Sequence, residues 1–78
     1  MSDKAKIDAA VDAFSAEMKK RMHSKRRQGF RGWDVLDCDI EGRLLKNAAK
    51  ASIDHDGKSC VDAANLAMMI WIHEANIL

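Results

Sequence analysis

Seven of the chain's 13 cations, Lys19, Lys20, Arg21, Lys25, Arg26, Arg27 and Arg31, fall between positions 19 and 31 with no acid among them. The rest of the chain carries six cations and 12 acids, so a formal net charge of +1 separates into a block of +7 against −6. Charge concentrated in this way attracts phosphate, whether of a nucleotide or of a nucleic-acid backbone. Phe30 and Trp33 flank the block with flat rings on which a base can stack. His23 adds charge at lower pH. The same block also suits a solvated helix end, where cations complement the helix dipole. No zinc-finger spacing, RNP-type aromatic pattern or obvious helix-turn-helix accompanies it.

Asp62 and Asn65 stand three apart in an otherwise apolar stretch and share one helical face. A carboxylate there needs a cation, helix-end donors or a metal. A polar pair satisfied by a neighbouring helix and a metal or nucleotide ligand set are the two readings. The acids Asp34, Asp37, Asp39 and Glu41 form a second cluster. Asp37 and Glu41, one helical turn apart, suit either a hard divalent ion or the positive end of a helix. The segment DHDGKS (Asp54 to Ser59) has the look of a calcium loop, but the register that fits it puts Ala63 where the bidentate Glu must stand. It reads as a turn capping the next helix. His23, His55 and His73 share no metal-ligand spacing. Cys38 and Cys60, 22 positions apart, form no CxxC and read as small buried hydrophobes.

Three helices must position these groups. Ile7, Val11, Phe14, Met18 and Met22 recur at steps of four, three, four and four, one stripe of an amphipathic helix over about 3–27. Ser2 suits its N-cap. Val35, Leu36, Ile40, Leu44, Leu45, Ala48 and Ala49 place a second helix at about 34–51, capped by Asp34. Gly42 inside it marks either a close approach or a weak point. A third helix, about 58–76, is apolar nearly all round from Cys60 to Ile72. A helix with so little polar surface is central or lies in an interface. The expected architecture is therefore a single all-α domain over 1–78, a three-helix unit assembled as a homo-oligomer into a dimeric or higher helical bundle.

A chain of 78 residues leaves room for one domain. With 47% apolar and 32% charged residues it is not disordered by composition. No apolar run reaches the ~18–20 residues that span a bilayer. No apolar signal core follows the first residues, so a cytoplasmic location and no membrane partner are expected.

CVDAANLAMMIW, Cys60 to Trp71, resembles the DVANFAMMI-type ending of small phage and prophage proteins that look like MazG nucleotide pyrophosphohydrolases. Phe14 to Met18 followed by KRRQGFRGW is similar to that family's cationic stretch and GW lead into the second helix, which ends here in LLKNAAKA. The resemblance implies an all-α oligomer, Mg²⁺ held by EExxE and ExxD elements, and hydrolysis of nucleoside triphosphates to monophosphate and pyrophosphate. Asp62 matches the Asp of ExxD, Ser59 replaces its Glu, and no EExxE is present. Asp62, with Glu41 from another chain, would be the remaining metal ligands. The implied function is a weakly catalytic or non-catalytic MazG-like oligomer binding a nucleotide or a protein partner. Lys19, Lys20, Arg21, Lys25, Arg26, Arg27, Arg31, Trp33 and Asn65 would then meet the anion. Two alternatives stand beside it: a Mg-dependent NTP or dNTP pyrophosphohydrolase, and a phage-type module that engages nucleic acid or a host protein through residues 19–31, in the host cytoplasm.

Overall fold

The computed structural model describes residues 2–29 and 39–76. It is all-helical: α1 (Asp3–Arg27), α2 (Ile40–Asp54) and α3 (Gly57–Ala75). Phe30, Arg31, Trp33, Asp34, Val35, Leu36, Asp37 and Cys38, singled out above, lie outside the described residues, and with them the 34–38 start expected for the second helix.

α1 starts where the sequence places it. The Ser2 hydroxyl accepts a hydrogen bond from the Ala5 N–H at 3.2 Å, satisfying one of the orphan donors of the first turn. The last turn carries Lys25, Arg26 and Arg27, the sign the C-terminal dipole favours. The chain leaves through Gln28 and Gly29, and Gly29 takes φ 95, a conformation glycine adopts without steric cost.

α2 is described from Ile40 onward, with Asp39, in the left-handed region at φ 73, as its N-cap. At the far end the helix runs three residues past Ala51, to Asp54. His55, also left-handed at φ 53, stops it. The neighbour that matters at Gly42 is local rather than another helix: a Cβ there would collide with the Asp39 carboxylate, which folds back over the first turn.

The turn into α3 consists of His55 and Asp56. Asp56 is the N-cap of α3, and its carboxylate accepts a 2.6 Å hydrogen bond from the Ser59 hydroxyl. That bond holds the Asp56 carboxyl below its ordinary value. The backbone N–H groups of Ser59 and Lys58 and the Lys50 ammonium act in the same direction, while desolvation opposes them. The DHDGKS segment is thus a helix-capping turn, as its residue types indicate.

α3 is the central element. It packs against both α1 and α2, and among the described residues no backbone Cα of α1 comes within 8 Å of one of α2. Leu66 and Met69 of α3 are buried with Ile40 of α2, and Met22, Leu44 and Ile70 pack around them. Ile72 is buried as well. The apolar girth of α3 follows from this position, since it has a neighbour on two sides. The uncovered apolar surface lies mainly elsewhere, on Ile7, Val11 and Phe14 of α1 and Leu45 and Ile53 of α2, with Trp71 from α3. No helix among the described residues is long and apolar enough to cross a membrane.

Candidate functional site

The seam between α1 and α3 brings the charged residues of the sequence together. The periodicity of α1 turns Met18, Arg21, Met22 and Lys25 toward α3, and all four are part-buried. From α3, Asp62 and Asn65 face them one helical turn apart. Arg21 Nε donates to Asp62 Oδ1 at 3.0 Å, with side chains 28% and 18% exposed. Asn65 Nδ2 donates to the Met18 carbonyl at 3.2 Å. The polar pair on the apolar helix is therefore satisfied largely by its neighbour.

One atom of that pair is not. Asn65 is buried and its Oδ1 has no hydrogen-bond partner among the described residues. The amide orientation follows from the Met18 carbonyl, which can only accept. Oδ1 lies beside a recess of about 30 Å³ lined by Lys25, Arg43, Asn47 and Asp62 over a floor of Met22, Leu66 and Met69. That space suits one or two waters. It is too small for a nucleotide.

A larger groove of about 460 Å³ opens on the other side of Arg21. Glu17, Lys20, Arg21 and Ser24 form its α1 wall, and Gly57, Lys58 and Val61 in the first turns of α3 form the other. A helix N-terminus presents unpaired N–H groups and the positive end of the dipole, both of which favour anions. Lys20, Arg21 and Lys58 add three cations, against one acid, Glu17. The Asp62 carboxylate offsets Arg21, and Asp56 stands at the N-cap position with its carboxylate bonded to the Ser59 hydroxyl. The groove is thus moderately cationic, with a hydroxyl from Ser24 and an apolar wall at Val61. It can seat a phosphate and part of what the phosphate is attached to.

Of the residues the sequence singled out for anions, Lys20 and Arg21 line this groove and Lys25 lines the recess with Asn65. Lys19 is exposed on α1, and Arg26 and Arg27 are exposed in its last turn. Lys58, Ser24, Arg43 and Asn47 were not singled out. Lys58 carried a signal, being a cation beside the glycine that opens α3.

The metal ligands expected were Asp62 and a Glu41 from another chain, and each is placed here within one chain. Asp62 meets Arg21, and Glu41 is exposed in the first turn of α2. Among the described residues no group of three or more His, Cys, Asp or Glu side chains is placed to hold a metal ion. A hard divalent ion needs several oxygen ligands, and a carboxylate bonded to a guanidinium is a poor start. Within one chain the described residues therefore offer no magnesium centre at Asp62. Comparison with known proteins gives no match to a protein-family model, to a curated protein or to a solved structure.

Proposed function

We propose that this protein is a small MazG-like, phage-type helical oligomer that holds a phosphate-bearing ligand, a nucleotide, without efficient turnover. The groove between α1 and the first turn of α3 carries this reading. It sets Lys20, Arg21, Ser24 and Lys58 around a helix N-terminus, and this combination suits phosphate oxygens. The hydrolytic alternative lacks support from the seam, because the Asp62 carboxylate is engaged by Arg21 at 3.0 Å.

Calorimetry with ATP and with inorganic tripolyphosphate at about 50 mM salt tests the proposal, since phosphate contacts are strongest at low ionic strength. Binding is expected, weakening as salt rises. Replacing both Lys20 and Lys58 with Ala should weaken it at least about tenfold, the effect of one to two charge-assisted contacts. Equal affinity in parent and double variant, or no binding at low salt, contradicts the reading. A parallel assay for pyrophosphate release from NTPs and dNTPs with magnesium is expected to stay at background. Turnover abolished by Asp62→Ala would establish the hydrolase instead.

A further inference from the structure

We propose that the outward face of the C-terminal half of α1 binds the phosphate backbone of duplex nucleic acid. Of the six cations from Lys19 to Arg27, Arg21 and Lys25 turn into the seam with α3 and are part-buried. Lys19, Lys20, Arg26 and Arg27 are exposed, and so is His23. At about 3.6 residues per turn these exposed positions fall within about 120° of helix surface, centred about 150° from the arc that faces α3. No acid lies between Lys19 and Arg27. The fold thus sorts the cationic block into two seam residues and one outward cationic face.

The helix dipole does not account for that face. Its effect is confined to the last turn, which carries Lys25, Arg26 and Arg27. Lys19 and Lys20 stand about two turns earlier. Towards the N-terminus the face changes sign: Asp12 and Asp8, seven and eleven residues before Lys19, fall on the same side of the helix. Those acids repel a phosphate backbone, so the footprint ends ahead of Lys19.

The make-up of the face selects the occupant. The one apolar residue from Lys19 to Arg27 is Met22, and it packs against the core. A protein partner needs an apolar centre with few charges, and a membrane surface needs bare apolar residues in the same turns. The face offers neither. Among the described residues it carries no aromatic ring, and single-strand sites use such rings to stack unpaired bases. Charge alone remains, and the partner that charge alone binds is a duplex, with one phosphate per ~1.7 Å of its axis. From Lys19 to Arg27 the face runs about 12 Å, enough to follow about three or four phosphates of one strand at ~3.4 Å each.

This surface lies apart from the groove except at Lys20, which borders both, so the variants leave Lys20 intact. Fluorescence anisotropy of the full chain with a labelled DNA duplex of about 20 base pairs, from about 30 to about 200 mM salt, tests the proposal. Binding is expected, with log K falling against log salt at a slope of magnitude about 3 to 4, the value for about four phosphate contacts. Lys19→Ala and Arg27→Ala together should weaken binding at the lowest salt at least about tenfold and flatten the slope by about 2. Adding Arg26→Ala should flatten it by about 1 more. Helical circular dichroism and affinity for tripolyphosphate should match the parent's in both variants. Since tripolyphosphate is read separately, the face and the groove can fail independently. No duplex binding at the lowest salt, a slope near zero, or a Lys19→Ala, Arg27→Ala variant that binds like the parent overturns the proposal. Equal loss of tripolyphosphate affinity overturns it by placing the duplex in the groove. Tighter binding of the separated strand, or displacement by polyglutamate as effective as by unlabelled duplex, overturns it in favour of a single strand or an acidic protein.

Discussion

Arg21 joins the two sites on the α1–α3 seam. Its Nε bonds Asp62, and its side chain lines the larger groove. An ion pair with 28% and 18% exposed side chains lies between the surface and buried regimes. Removing one partner should cost about 1–2 kcal/mol, between the ~0–1 of exposed pairs and the ~3–5 of buried ones. Urea denaturation of Asp62→Ala checks this. Adding Arg21→Ala in the same chain should cost much less than Arg21→Ala alone, because the two act as a unit. Strict additivity would show that the 3.0 Å contact has no energetic content. The face shared by Asp62 and Asn65 was legible from their spacing, because a helix places positions three apart side by side. Which groups would meet them was not, because Met18 and Arg21 are 47 and 41 residues away along the chain.

At the scale of elements, α3 depends on its first turn. Asp56 caps it and the Ser59 hydroxyl holds the Asp56 carboxyl below its ordinary value of 3.8. A carboxyl lowered on folding contributes stability at pH values above its unfolded value, and that contribution disappears as the pH falls through the folded value. Thermal melts between about pH 6 and pH 2, spanning carboxylate titration, should show a smaller acid-side loss of stability in Asp56→Asn than in the parent. Identical profiles would show that the cap is not coupled to protonation. The Ser2 cap and the four-three-four-four stripe of α1 were readable because both are local. The left-handed conformation of Asp39, φ 73, was not legible: Asp is among the few non-glycine residues that visit this region, but its type alone does not announce it. The extension of α2 to Asp54 has the same origin, since His55 takes the left-handed conformation more often supplied by glycine.

For the whole molecule, composition pointed to the apolar girth of α3. It is the most apolar segment, so it was expected to be central or to lie in an interface. It is central: α1 and α2 flank it, and Leu66, Met69 and Ile72 are buried. Among the described residues most of the large exposed apolar side chains lie on the flanking helices. Among the described residues the buried apolar side chains are Ile40, Leu66, Met69 and Ile72, three of them on α3. The groove proposed for phosphate is built where the middle of α1 meets the start of α3.

The proposal that phosphate sits in the groove between α1 and the first turns of α3 is tested most directly by amide hydrogen exchange of the full chain with and without inorganic tripolyphosphate at about 50 mM salt, where phosphate contacts are strongest. Unpaired N–H groups at a helix N-terminus are the donors that an anion there would engage. Amides of residues 57–59 should become more protected when tripolyphosphate is added, while those of residues 3–14 stay unchanged. Protection of residues 57–59 that is the same with and without tripolyphosphate would contradict the account.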